Sequence, residues 1–190
     1  MTTLGTAYLS DKYRRRAPFL MFWSAFATLG YILLMVIPRS SPGAQYFALF
    51  MATAGAAPMI ATTISWTGNT WGGGNHYKKA ITMGMVFSSG NSGGIVASQV
   101  YRAENSPRYY PGHGTAVGFC LANFTMAALL WWYLSRENKR RDQAYGHIAG
   151  EDGNDDIDSQ EYIQKWGLEG KSRTEIIELA ENHPGYRYVL

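Results

Sequence analysis

A single cysteine, Cys120, leaves this chain neither a disulfide framework nor a cysteine-rich metal site, and it reads as a small apolar filler. No Ser-His-Asp, His-Glu-x-x-His or paired-carboxylate arrangement falls on a common site, so an enzyme reading lacks a chemical core. The glycine-rich run Trp66–Lys79 has no Gly-x-x-x-x-Gly-Lys-Ser/Thr pattern and no preceding strand, which makes it a loop and not a phosphate cradle. After Met1 there is no basic segment followed by an apolar run, so no signal peptide is read there; the segment reads as the tail end of something cut short. The most telling absence is of charge. Ala17–Ile37, Ala44–Trp66, Ala80–Tyr101 and Gly112–Ser135 contain no Asp, Glu, Lys or Arg.

Stretches of this kind, about 20 residues long at ~1.5 Å rise each, match a hydrocarbon core ~30 Å thick. The expected fold class is therefore all-α and membrane-embedded, with four transmembrane helices and a polar tail. Residues 1–16 read as the end of a preceding helix and a basic loop, 17–135 as the four-helix region, and 136–190 as a cytoplasmic tail. Lys12, Arg14, Arg15, Arg16, Lys78, Lys79, Arg136, Lys139, Arg140 and Arg141 fall on one side, against Arg39, Arg102 and Arg108 on the other. The positive-inside rule assigns the richer side, and with it both chain ends, to the cytoplasm. The net charge of +3 thus serves topology, and nucleic acid is not expected as a partner. Boundary residues agree: Pro18 suits a first helical turn, Pro38 follows a helix end, and Ser41-Pro42-Gly43 makes a tight turn. Trp131, Trp132 and Tyr133 precede the basic cluster and suit the headgroup layer.

The spans differ in kind. The first is bulky almost all round, as expected of an outer helix facing lipid. In the second, Gly55, Pro58, Thr62, Ser65 and Asn69 share a face at spacings of three and four, and Pro58 predicts a kink. The third repeats the pattern with Gly84, Ser88, Asn91 and Ser98, beside a small face of Gly90, Gly93, Gly94 and Ala97. Gly90-x-x-x-Gly94 and Gly114-x-x-x-Gly118 suit close helix packing in lipid. Ordinary packing explains most Ser, Thr and Gly on such faces, but a carboxamide in mid-membrane, Asn91, needs partners that an apolar bundle does not supply. His76 reads as solvated; His113 reads as an interface residue or a proton-sensitive group. Asn123-Phe-Thr125 matches a glycosylation sequon inside a span, where no transferase reaches it.

The tail carries Glu151, Asp152, Asp155, Asp156 and Asp158 in a stretch that reads as disordered. Beyond it, Ser172-x-x-Glu175 can cap a short helix ending near His183-Pro184-Gly185, either docked on the cytoplasmic face or free.

Several motifs carry a resemblance: Ser10-Asp-Lys-Tyr-Arg-Arg-Arg-Ala-Pro18, Gly90-Asn-Ser-Gly-Gly94 running to Tyr101-Arg102, and Ser106-Pro-Arg-Tyr-Tyr-Pro-Gly-His-Gly114. Tyr133-Leu-Ser-Arg-Glu-Asn-Lys-Arg-Arg-Asp142 and His183-Pro-Gly-Tyr-Arg-Tyr-Val-Leu190 complete the set. In this order they resemble the C-terminal part of the fungal allantoate permease family, anion:cation symporters of the major facilitator superfamily. One departure is Ala7, where the superfamily loop motif would place Gly four residues before Asp11. The resemblance implies a plasma-membrane secondary transporter for a small organic anion or vitamin-like carboxylate, coupled to protons, with the four spans standing for helices nine to twelve. By that architecture, Thr62, Ser65, Trp66, Asn69, Ser88 and Asn91 are the positions expected to touch substrate. No cofactor or metal is implied. No acidic residue lies in a span, so a coupling carboxylate would belong to another part of such a transporter or be replaced by other chemistry, and this stretch alone is not expected to transport. The competing reading is a self-sufficient four-helix membrane protein serving as an interaction or regulatory subunit.

Overall fold

In the computed structural model the charge-free stretches are helical. The structure describes residues 2–13, 15–38, 40–70, 76–102, 106, 108–145, 163–164, 166–172, 175–176, 179, 183, 186–188 and 190. Helix α1 (Thr2–Tyr13) precedes α2 (Ala17–Val36), α3 (Pro42–Thr70), α4 (His76–Val100) and α5 (Tyr110–Tyr145). Pro18 stands in the first turn of α2, where its missing N–H is no loss, and Ile37 turns extended before Pro38. The Ser41 carbonyl accepts from the N–H groups of Ala44 and Gln45 as α3 begins, and α3 continues through Pro58, whose side chain is buried. Three helices, Ala17–Val36, Pro42–Thr70 and Tyr110–Ala144, are long and apolar enough to cross a membrane. Helix α4 is 25 residues long but is not among those three, because Gly, Ser and Asn dilute its apolar content.

The packing differs from the division into outer and inner spans that composition suggests. Helix α2, expected at the periphery, packs extensively on both α3 and α5, while α4 touches those two sparingly. The reason lies in a stripe of small residues on α2. Ala17, Ser24, Ala27, Thr28 and Gly30 are buried there, and a Cβ on Gly30 would stand 2.5 Å from the Ala52 nitrogen. Reciprocally, a Cβ on Gly55 would lie 2.9 Å from that of Ala27. Close backbone approach therefore occurs at Gly30 and Gly55. The glycines predicted for that purpose, Gly90, Gly94, Gly114 and Gly118, have open space where a Cβ would stand. The stripe's hydroxyls bond internally: Ser24 and Thr28 reach the carbonyls of Leu20 and Ser24, at 2.8 and 2.7 Å.

The end of the tail docks. Tyr186, Arg187, Tyr188 and Leu190 form a strap across the ends of α2, α3 and α5. Asn138 on α5 pairs with Tyr188 twice, its Nδ2 donating to the Tyr188 carbonyl at 2.9 Å and its Oδ1 accepting from the Tyr188 N–H at 3.0 Å. The Tyr186 hydroxyl meets the last carbonyls of α3, Asn69 and Thr70, each at 3.2 Å, and Arg187 pairs with Asp142 at 2.8 Å. The Arg16 N–H donates to the Leu190 carbonyl, and Tyr188 and Leu190 pack on the cluster of Ala17, Leu20, Trp66, Ala127 and Leu134. A separate small cluster gathers Trp166, Leu168 and Ile176. Next to it the predicted capping box is formed, the Ser172 N–H donating to Glu175 Oε2 at 2.7 Å and the Glu175 N–H to Ser172 Oγ at 3.3 Å. Arg14, Arg39, residues 71–75, the His76 side chain, the acidic run Glu151 to Asp158, and Pro184-Gly185 lie outside what is described.

Candidate functional site

Between α3, α4 and α5 lies a cavity of about 440 Å³, within the ~300–1,000 Å³ range of small-ligand sites. Its walls are mostly apolar, from Met59, Ile60 and Ile64 of α3 and Val86 and Phe87 of α4. Three polar side chains break that lining: Thr63, Asn91 and Asn123. Thr63 is committed to its own helix, its hydroxyl donating to the Met59 carbonyl at 2.9 Å. The two carboxamides are different.

Asn123 comes from the middle of α5, and its Oδ1 stands 2.9 Å from Ser24 Oγ. The Ser24 hydroxyl also lies 2.8 Å from the Leu20 carbonyl and 3.2 Å from Met59 Sδ, so α2, α3 and α5 meet at this one group. With Oδ1 facing Ser24, the Asn123 Nδ2 has no partner among the described residues, and neither has the carboxamide of Asn91. Two sets of amide donors thus border one apolar cavity. Such groups can bind a carboxylate or a carbonyl, while the low polarity around them strengthens each bond.

The six residues singled out by the sequence fall into three places. Thr62 and Trp66 are buried, Trp66 in the cluster with Leu20 and Leu134. Ser65 and Asn69 instead converge on Arg16, a buried cation at the junction of α1, α2 and α3. Arg16 Nη1 donates to Ser65 Oγ, and Nη2 pairs with Asp11 at 2.7 Å. In the amide orientation its surroundings favour, the Asn69 oxygen accepts from the same guanidinium at 3.0 and 3.2 Å. Ser88 and Asn91 lie on the exposed face of α4, and of these Asn91 reaches the cavity. Sequence reasoning passed over Asn123 because the sequon reading used it up. The signal applied to Asn91, an amide in an apolar run, was present there too. Arg16, which enters the topology count and the Ser10–Pro18 motif, is not singled out from the sequence as a site residue.

At the far end of α4 and α5, His113 Nδ1 lies 3.3 Å from the Tyr101 hydroxyl, and its ring contacts Tyr31 and Tyr101. His113 is half-buried among these aromatic neighbours.

No family model matches the chain, and no solved structure matches it. Among curated proteins, it is 30% identical to the MFS-type transporter cnsO of Penicillium expansum, over 98% of this chain and 33% of that protein. An uncharacterized transporter of Schizosaccharomyces pombe is 31% identical over 74% of this chain and 27% of its own length. The high-affinity nicotinic acid transporter of Saccharomyces cerevisiae is 27% identical over 71% of this chain and 24% of that protein. The chain thus spans a quarter to a third of the length of these relatives. These similar proteins are fungal transporters by name, and together with the three helices long and apolar enough to cross a membrane they support an integral membrane protein.

Proposed function

We propose that the chain supplies four helices of a proton-coupled transporter for a small organic anion, of the allantoate permease family within the major facilitator superfamily. On this reading α2 to α5 correspond to helices nine to twelve, α4 is the fourth span, and both chain ends face the cytoplasm from the plasma membrane. The observation that carries the reading is the cavity in which the partnerless amides of Asn91 and Asn123 face an apolar wall. Amide N–H groups bind a carboxylate without a fixed positive charge, which suits a cargo that must also leave. The likeness to a nicotinic acid transporter supports a carboxylate of vitamin size. Of the six positions named from sequence, Asn91 then contacts substrate, joined by Asn123. Thr62 and Trp66 hold the helices together, and Ser65 and Asn69 position Arg16. Ser88 lies one turn from Asn91 and lines the approach to it.

The test is uptake of labelled nicotinate, pantothenate and allantoate by the complete transporter carrying Asn91→Leu or Asn123→Leu. A hydrogen bond to a charged group is worth ~1.5–3 kcal/mol, so each variant should raise KM for the transported anion about tenfold or more at unchanged surface expression. Ordinary kinetics in both variants would return the two amides to a packing role.

A further inference from the structure

We propose that a second pocket, between the basic end of α5 and the strap, holds the headgroup of an anionic phospholipid. The pocket measures about 460 Å³ and is bounded on one side by Trp131, Trp132, Ser135, Asn138, Lys139 and Asp142, and on the other by Arg187 and Leu190. The α5 residues recur at spacings of three and four, so they form one continuous face of the helix. That face changes character along its length. The two indoles stand where the apolar run ends, and Ser135, Asn138 and Lys139 follow in the next two turns.

A helix of 36 residues is ~54 Å long, well beyond a ~30 Å hydrocarbon core, so this end of α5 projects through the headgroup layer. A ligand filling the pocket therefore meets indole on the membrane side and polar groups on the water side. That is the polarity of a lipid, not of a soluble anion. Its charge follows from the ion pairs. Asp142 is neutralised by Arg187 at 2.8 Å, and Glu137 by Arg140 and Arg141 at 2.9 and 3.1 Å. Lys139 and Arg136 form no ion pair among the described residues, and Arg136 lies over the Trp132 ring at 5.6 Å. Lys139 in the lining, Arg136 over Trp132 and the two arginines sharing the single charge of Glu137 leave this end of α5 net positive, which favours a phosphate bearing net negative charge. The strap makes the pocket a fixed one, because the paired bonds of Asn138 to Tyr188 set the wall that Arg187 and Leu190 provide.

The inference rests on the membrane reading of α5 but not on which face is cytoplasmic, because nanodiscs present both leaflets alike. The chain would be reconstituted in phosphatidylcholine nanodiscs with and without phosphatidylglycerol, and retained lipid counted by native mass spectrometry after release. Phosphatidylglycerol should be retained at about one per chain in preference to phosphatidylcholine. Lys139→Gln should lower that retention about fivefold, the worth of one lysine at a membrane surface, and Lys139→Arg should keep it. Trp132→Leu should lower it as well. Equal retention of the two lipids would overturn the proposal, as would an equal loss in Lys12→Gln, which would mark diffuse attraction. Displacement of the bound lipid by millimolar inorganic phosphate would also overturn it, by assigning the pocket to a soluble anion.

Discussion

Glycine acts in two opposite ways in this chain, and the difference can be measured. At Gly30 an added methyl would collide with the backbone of Ala52, which has no rotamer by which to move aside. Gly30→Ala should destabilise by ~1–3 kcal/mol, the usual cost of overpacking. At Gly90 nothing lies within 4 Å of the same methyl, so Gly90→Ala should keep only the propensity gain of ~0.5–1 kcal/mol. Thermal unfolding of the purified chain in detergent should move down for the first variant and up for the second. A fall at both positions would mean that α4 is packed in solution. Arg16 makes a similar point about buried charge. Its guanidinium is held by a carboxylate, a hydroxyl and an amide together, since a buried cation requires several partners to offset its lost hydration.

Among the elements, the helices were legible from charge-free runs, and their ends from Pro18, Pro38 and the Ser41 turn. Their neighbours were not legible. Bulk along α2 suggested lipid exposure, but a narrow stripe of Ala, Ser and Gly decides which face packs, and an average over the whole helix hides it. The site was legible in part: the logic that chose Asn91 applies equally to Asn123, whereas Ser65 and Asn69 were drawn to Arg16 by contacts between distant segments that no local pattern encodes. The capping box was fully local and was found where spacing put it. It also gives a pH prediction. The hydrogen bond from the Ser172 N–H, and after it the Ser172 hydroxyl, hold the Glu175 carboxyl below its ordinary value. A depressed carboxylate pKa stabilises the helix start at pH values above the ordinary one, and the effect is lost as pH falls through the depressed one. An acid titration followed by the Ser172 amide resonance should therefore have its midpoint below that of an unperturbed glutamate. Ser172→Ala should move it back upward.

For the whole molecule, the open question of architecture is whether α4 crosses the bilayer. Its hydropathy is diluted, its glycine face is open, and it touches α3 and α5 sparingly. On the proposed topology the distribution of charge calls for a crossing. Lys78 and Lys79 at its start belong with the basic end of α5, while Arg102 and Arg108 beyond its end are few, and that alternation is what the positive-inside rule requires of a span. As a span, α4 would need water, substrate or another helix beside Asn91 and its glycine face, and a cavity at that face supplies them. With Cys120→Ser removing the native thiol, single cysteines at Lys79→Cys, Arg108→Cys and Arg140→Cys should separate the two geometries. A membrane-impermeant maleimide applied to intact cells should label the Arg108 position alone, and the other two only after permeabilisation. If the Lys79 and Arg108 positions label together, α4 lies along one face of the membrane, and its cavity with Asn91 cannot sit in a transport path.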